Sequence, residues 1–358
     1  MVPVIGLIST IIILISILPF VRHSHWVFRS AEFIKQQILV VQILIIILTF
    51  LFIESHPWLW YVQIPQIILM VYHIWLLAPY TRLTNVAQAP NSKGNTEIIK
   101  LIFFNVQQSN QQFDRFIHLI ERESPDLILT MESNSDWERA MRKLETEYPT
   151  FKKVTLENTY GMHFYTRLKT HQIRTHYFVS DDIPSIEAEL ETSEGRRFRF
   201  FGVHPPPPSP TEEENSLERD GDLLSVAKRI KNVDMPVIAA GDFNNVAWAR
   251  SSILFRKASG LVDARIGRKI LSSFHTKYWF FRVPLDLLFH SPNIVVDKLF
   301  RYPDIGSDHF PIGCCFHITD ANDQNKDPDE TLDVEEEKEI DQAIEAGKEE
   351  ESDQRSES

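Results

Sequence analysis

The N-terminal stretch of the chain leaves little choice of environment. Residues 2–21 contain no Asp, Glu, Lys or Arg and carry Ile-Ile-Ile at 11–13, a match to the ~20 apolar residues that cross a bilayer core. A second apolar run covers 38–53 and extends to about 37–54 if the preceding glutamines are counted. The third, 58–80, has Pro65 inside and Trp58, Trp60, Tyr61, Trp75 and Tyr80 toward its ends, where amphipathic aromatics favour the headgroup layer. Three transmembrane helices are therefore expected over about 2–21, 37–54 and 58–80, with a kink rather than a break at Pro65. A cleaved signal peptide would need a basic leader and a small-residue cleavage site, and neither accompanies the first run. A water-soluble bundle would need a polar stripe, which all three lack. Arg22, Arg29, Lys35, Arg82 and Lys93 all fall on one side of these spans and no Lys or Arg on the other. The positive-inside rule then predicts an outside N-terminus and a cytoplasmic domain after the spans, in an integral, multi-pass protein.

The formal charge of −12, from 37 Lys+Arg and 49 Asp+Glu, taken as evenly spread, argues against phosphate-rich partners. Residues 320–358, however, hold 17 acidic and 4 basic side chains, so the remainder carries 33 basic against 32 acidic and is near neutral. Such a tail, with a single weak helical stretch near 334–346, has too few apolar groups to offset the entropy of ordering, so 319–358 is expected to be disordered. It would serve as a solubilising tail or as an internal competitor of phosphate. With 12 Gly and 43% hydrophobic residues the chain is neither collagenous nor wholly disordered. Its two cysteines, the neighbours Cys314 and Cys315, support no disulfide partner and no cysteine-based zinc site.

After a polar linker at 87–96 with Pro90, Asn91, Ser92 and Gly94, the pattern over 97–318 changes to short apolar runs mixed with helical periodicity. Strands are expected at 98–106, 127–131, 162–165, 173–179, 186–190, 198–203, 237–240, 287–290 and 312–317, and helices at 113–122 and 217–231. Many strands with few helices predict an α/β fold of two packed sheets with helices outside, rather than a doubly wound parallel sheet. Polar residues cluster at the strand ends. Asn105 ends the first strand, Glu132 follows the second, His204 follows Phe-Gly-Val, and Asp242 and Asn244 follow Val-Ile-Ala-Ala-Gly. Asp286 precedes Leu-Leu-Phe, and Ser307-Asp308-His309 precedes the last strand. Each alone has a bland reading as a turn or cap residue. Together, oxygen ligands and two histidines at successive strand mouths describe an edge built around a hard divalent cation.

The set Phe-Asn105-Val, Thr-Met-Glu132, Gly-Val-His204-Pro-Pro, Gly-Asp242-Phe-Asn244, Pro-Leu-Asp286-Leu-Leu and Ser307-Asp308-His309-Phe-Pro resembles the endonuclease/exonuclease/phosphatase superfamily. The motifs stand in that family's order over nearly all of 97–318. The resemblance implies the deoxyribonuclease-I-like four-layer αββα sandwich. The layout, with apolar spans ahead of the domain, is similar to a membrane-anchored bacterial branch, which implies the bacterial inner membrane. Carried over by position, it implies Glu132 as the principal Mg²⁺ ligand (Mn²⁺ as the substitute), with Asn105 beside it and Asp308 contributing. It likewise implies Asp242 orienting or deprotonating the attacking water and Asn244 binding phosphate. His204 would donate to a phosphoryl oxygen, and Asp286 would fix and charge His309. One departure is Val-Pro-Leu-Asp286-Leu-Leu, where relatives carry Arg or Lys-Ile-Asp-Tyr, which blurs substrate class.

Substrate contacts are expected from His163 and Tyr165 in Gly161-Met-His-Phe-Tyr165-Thr-Arg167, and from Arg282. Arg282 lies in 247–283, where eight Lys or Arg face the single acid Asp263 and Trp248, Phe255, Phe274, Tyr278, Trp279, Phe280 and Phe281 are interleaved. This segment reads either as an ordinary solvated face or as a docking surface for a polyanion, a nucleic-acid backbone or a lipid surface. The expected activity is a membrane-anchored, metal-dependent phosphoesterase acting on a diester of nucleic acid or phospholipid, or on a monoester. The alternative is a catalytically inactive, membrane-anchored scaffold of the same fold, for which the intact polar set is the argument against. A transport function finds no Asp, Glu, Lys or Arg inside the apolar runs 2–21, 38–53 and 58–80 to build a path.

Overall fold

The structure is a computed structural model that describes residues 2–82, 84, 97–319 and 331–350. The chain divides into two compact units, Met1–Val86 with Ile266–Lys269, and Ala87–Arg265 with Ile270–Ser358.

The first unit is helical: α1 Val2–Ile17, α2 Trp26–Phe33, α3 Lys35–Phe50 and α4 Trp60–Leu77. Two helical stretches, Val2–Phe20 and Pro57–Tyr80, are long and apolar enough to cross a membrane. A third crossing exists only if α2 and α3, bent by 68° at their junction, count together. The expectation of a simple second span thus meets a difference with a plain cause. At 1.5 Å per residue the 16-residue α3 reaches only about 24 Å, against roughly 30 Å of hydrocarbon. Inside the unit Ile5, Ile12, Ile38 and Ile45 form an apolar seam. Buried polar side chains add α4 to this pair of helices, α1 and α3: His73 Nδ1 meets Gln42 Oε1 at 3.0 Å and Gln42 Nε2 donates to Ser16 Oγ at 3.4 Å.

The second unit is a two-sheet sandwich. In chain order its elements are β1 Ile99–Asn105, α5 Phe113–Glu123, β2 Leu127–Met131, α6 Ser135–Met141, β3 Thr150–Val154, β4 Met162–Thr166, β5 Lys169–His176, β6 Ser185–Glu191 and β7 Arg197–Val203. There follow α7 Leu217–Lys231, β8 Val237–Asp242, α8 Arg250–Ser259, β9 Val262–Asp263, β10 Asp286–His290, β11 Ile294–Arg301, β12 Ile312–Ile318 and α9 Val334–Glu349. One sheet runs β11-β12-β1-β2-β4-β3 and the other β5-β6-β7-β8-β10-β9. Strand alternation decides which side chains fill the middle. Ile99, Leu101 and Phe103 of β1 meet Ile186, Ala188 and Leu190 of β6 in the inter-sheet core, while Ile102 and Phe104 face α5 and α6. On the other outer surface Phe201, Val203, Ala239 and Leu287 pack under α7 and α8. Helix, sheet, sheet, helix is the αββα order expected for this stretch.

The acidic tail needs a correction. Residues 320–330 and 351–358 lie outside the described residues, as does the linker 87–96, but Val334–Glu349 is a helix. Asp333 accepts from Glu336 N at 2.8 Å and Glu336 Oε2 accepts from Asp333 N at 3.2 Å, a capping box. Ile340 and Ile344, one turn apart, are buried in the core shared with α7 and α8. Glu336 pairs with Lys257 at 2.9 Å and Arg250 at 3.1 Å, Glu339 with Arg250 at 2.7 Å, and Asp341 with Lys228. Composition averaged over the tail hid two isoleucines with a remote apolar seat, and acids whose countercharges lie on other helices.

Candidate active site

In each sheet the two central strands are parallel, β1 with β2 and β7 with β8. The C-terminal residues of β1 and β8, Asn105 and Asp242, are hydrogen-bonded to each other, so both pairs open on the same side of the sandwich. Asn105 is in register with Met131, so Glu132, the next residue after β2, arrives beside Asn105. Asn105 Nδ2 donates to Glu132 Oε1 at 2.8 Å and to Asp242 Oδ2 at 3.0 Å, joining one sheet to the other. Glu132 Oε2 accepts from Gln108 N at 3.1 Å. Its backbone is left-handed, φ 58°, a conformation costing about 1 kcal/mol or more in a residue with a Cβ. The turn it makes aims the carboxylate over the strand ends.

Gly241 precedes the second carboxylate and shows why that position carries no side chain. Its φ is +150° and a Cβ there would lie 2.0 Å from Val203 O. The close approach of β7 and β8 sets His204, after Val203, against the Asp242 end of β8. Asp242 Oδ1 accepts from Asn244 N at 2.9 Å, and Asn244 Nδ2 donates to Pro205 O at 2.9 Å. Asn244 is also left-handed, φ 47°. The fully buried Arg219 of α7 holds this turn by donating from Nη1 to Asn244 O at 3.2 Å. Tyr160 lies on His204 with ring centroids 5.6 Å apart.

Antiparallel register places Asp286, the first residue of β10, opposite Asp242. His309 Nδ1 donates to Asp286 Oδ2 at 2.7 Å, and its Nε2 is 3.4 Å from Asp242 Oδ2. The segment carrying His309 is tied down by Ser307, whose Oγ donates to Asn105 O at 2.8 Å and accepts from His309 N at 3.0 Å. Asn105, Asp242, Asn244, His204, Asp286 and His309 are all buried. Asp308 is half-buried and accepts from Ser307 Oγ at 3.3 Å.

The charges are far from their solution behaviour. Burial pushes Glu132 up to about 7, opposed by the donors Asn105 and Gln108, and the charge of Asp308 raises it further. Burial likewise raises Asp242. Burial alone would lower His309, but the carboxylates of Asp286 and Asp242 outweigh it and raise it to about 10. Burial brings His204 down to about 4, so His204 is the neutral imidazole of the site and His309 the charged one. Four carboxyl groups gather around one imidazolium, and Asp286 Oδ1 is buried without a partner among the described residues. An oxygen-binding divalent cation fits this donor set. Asp242, Asp286 and His309 bring ligand atoms within 4.8 Å of one another and could hold a metal ion. Glu132, flanked by Asn105 and acted on by Asp308, is the other carboxylate grouping. In the first group a protonated His309 with Nδ1 committed to Asp286 has no lone pair to give, so a metal there must first displace a proton.

Not every expected contact gathers here. His163 and Tyr165 are fully buried on the far face of their sheet. His163 Nε2 meets Thr155 Oγ1 at 3.0 Å and Tyr165 packs in the core under α5 and α6, so neither can reach a substrate. Alternation along β4 turns Met162 and Phe164 inward to the other sheet and these two outward. Arg282 is half-buried over the Phe310 ring at 5.0 Å, next to His309. The basic segment is not one face either. Arg265 is buried against Asp263 at 2.7 Å, and Arg250 and Lys257 are paired with α9. Gln108, Tyr160, Arg219 and Ser307 went unread as site residues. Ser307 stood inside a quoted motif and offered a signal; a lone arginine in a helix offered none.

Residues 102–309 match the model of the Endonuclease/Exonuclease/phosphatase family. Among solved structures, D. rerio TDP2 complexed with single-strand DNA product is similar at 19% identity and a TM-score of 0.51, covering 62% of this chain and 99% of that one. The human Nocturnin catalytic domain with bound sulfate gives 16% identity and 0.50, covering 62% and 95%. A functionally unknown conserved protein from Enterococcus faecalis V583 gives 14% and 0.52, covering 62% and 100%. At these identities the likeness is one of fold. No curated protein matches the sequence.

Proposed function

The chain belongs to the endonuclease/exonuclease/phosphatase family, and on that premise we propose that it is a membrane-anchored hydrolase of phosphoric esters dependent on a divalent cation, magnesium or manganese. The observation that carries this reading is an unbroken line of contacts from Glu132 through Asn105 to Asp242, His309 and Asp286. No folding requirement explains so many buried charges at one edge. Glu132 and Asp308 would hold the cation, with the Asn105 amide beside them. When bound, the cation supplies positive charge to a phosphoryl oxygen of the ester.

The rest is the work of this chain's side chains. Asp242, in contact with Asn105 and 3.4 Å from the His309 ring, orients the attacking water and takes its proton. Attack spreads negative charge over the equatorial oxygens, and preorganised donors stabilise it there. His309 Nε2–H, the Asn244 amide and His204 are those donors. Asp286 keeps His309 oriented and charged by accepting from Nδ1. Anchoring rests on the helical stretches Val2–Phe20 and Pro57–Tyr80, and the Lys/Arg bias of the flanks favours a cytoplasmic catalytic unit.

The test is hydrolysis by the purified full chain in detergent, with magnesium or with chelator, of bis-p-nitrophenyl phosphate, p-nitrophenyl phosphate and plasmid DNA, and of phospholipid in mixed micelles. Metal-dependent turnover of at least one, abolished by Asp242→Asn, is expected. Turnover of none, or equal turnover by Asp242→Asn, overturns the reading.

A further inference from the structure

In the second unit, the exposed large apolar side chains among the described residues are Ile98, Phe151, Tyr177 and Val334, each standing apart, and the consecutive run Tyr278, Trp279, Phe280 and Phe281. Trp279 is 77% exposed and Phe280 62%. Four adjacent aromatics facing water are costly unless something covers them. Their base is not loose. Phe274 forms a β-bridge with Val283, closing 275–282 into a loop, and a second bridge with His309. Thr276 N donates to Asp308 O at 2.8 Å and Thr276 Oγ1 to Ser307 O at 2.8 Å. Arg282 Nη2 donates to Thr276 O at 3.2 Å. The aromatic tip is thus fastened by backbone contacts to the segment that carries Asp308 and His309.

We propose that the loop 275–282 is a bilayer-docking element that seats the catalytic edge on an anionic lipid surface, so that the ester attacked is one presented by a phospholipid head group. The substrate class rests on the phosphoesterase reading; the docking does not. Three observations favour lipid over other occupants. The tip combines Tyr and Trp, which settle at the headgroup level, with two phenylalanines that reach the acyl boundary. The loop contains the exposed Lys277 and no acid, matching an anionic leaflet. The same chain carries helices long and apolar enough to cross a membrane, which keeps a bilayer within reach. A nucleic-acid strand would also stack on aromatics, but it calls for a basic track along its backbone, and of the basic residues in 247–283, Arg250, Lys257 and Arg265 are spent on internal pairs.

The experiment compares wild-type full chain with a Trp279→Ala/Phe280→Ala variant, both in nanodiscs of phosphatidylcholine and phosphatidylglycerol with brominated acyl chains. The proposal expects wild type to show bromine quenching of tryptophan emission beyond that of the variant, the excess coming from Trp279. A wild-type-minus-variant emission difference that bromine leaves unquenched overturns the docking, whether or not the enzyme turns over. On the metal-loaded protein, hydrolysis of lipid in the same discs is expected to fall about tenfold or more in the variant, a loss of roughly 1.4 kcal/mol, with bis-p-nitrophenyl phosphate hydrolysis unchanged. Equal loss on both substrates overturns it in favour of a structural loop. Loss confined to single-stranded DNA overturns it in favour of base stacking. Excess quenching without turnover of any ester leaves the docking standing and removes the phosphoesterase reading.

Discussion

Replacing Asp286 by Asn tests the electrostatics of the site without knowledge of the substrate. Asp286 Oδ2 accepts from His309 Nδ1 at 2.7 Å, and both side chains are buried. The folded state raises His309 from 6.5 to about 10. Between those values the folded protein holds a proton that the unfolded chain releases. Stability from this group is therefore complete below pH 6.5 and is lost as the pH rises to about 10. At about 1.4 kcal/mol per pH unit the window amounts to roughly 5 kcal/mol. Two unit charges about 4 Å apart at an effective dielectric near 20 interact by about 4 kcal/mol, so the Asp286 charge accounts for most of it. Asp286→Asn keeps the shape and an acceptor oxygen and removes that charge. The assay is thermal unfolding in chelator across the window. Between neutral pH and pH 10, about 4 kcal/mol of that window, wild type should lose roughly 8–16 °C more than the variant, at about 2–4 °C per kcal/mol. The metal-loaded variant should hydrolyse esters at least ~100-fold more slowly. Parallel unfolding curves would refute the reasoning, because they would mean that Asp286 does not hold the His309 proton.

Other expectations follow from single contacts. Asp222 is fully buried, neither carboxylate oxygen has a partner among the described residues, and burial with the neighbouring Glu218 raises it from 3.8 to about 8. Its folded form is the neutral acid, so stability falls as pH rises between those values, and Asp222→Asn should stabilise the protein at neutral pH by about 2 kcal/mol or more, read as a higher melting temperature; an unchanged or lower melting temperature would point to a partner. Ile340→Ala should cost about 2–5 kcal/mol and free α9, read as faster amide exchange over 334–349. Burial raises Glu336, but donation from Lys257, the Asp333 backbone and Arg250 outweighs it and lowers the group below 4.5. Its contribution is present above that pH and is lost as the pH falls through the lowered value, so α9 should exchange faster in acid even in wild type. Gly241→Ala forces a Cβ against Val203 O and should lower stability by several kcal/mol together with turnover; a variant with wild-type melting and activity would deny the close approach.

The polar site was legible because each member follows or opens a short apolar strand, so the motif around it is local. Val-Ile-Ala-Ala-Gly-Asp242 reads as strand, tight turn and carboxylate without any partner in view. His163 and Tyr165 misled for the opposite reason. All five residues of β4 are buried, so the alternation of Met162 and Phe164 with His163 and Tyr165 separates two faces but does not mark which meets the cleft and which meets the helices. The unread strands β3 and β11 are half-exposed and charged, Thr-Phe-Lys-Lys-Val and Ile-Val-Val-Asp-Lys-Leu-Phe-Arg, and take their order from neighbouring strands. Helix α9 needed seats on α7 and α8 before two isoleucines could outweigh so many acids.

The sequence by itself determined what depends on neighbours along the chain: the apolar stretches too long to be anything but candidate spans, the strand-and-turn rhythm, and the chemical types at each strand mouth. Only the tertiary structure decided how those types act. Asn105 reaches Asp242 across 137 positions of chain, and His309 is charged while His204 is neutral because of which carboxylates the two sheets bring against each ring in a buried edge. Register and sheet stacking set those distances, and at low dielectric a shift of one residue in register would reverse the side chains' faces and with them the charges.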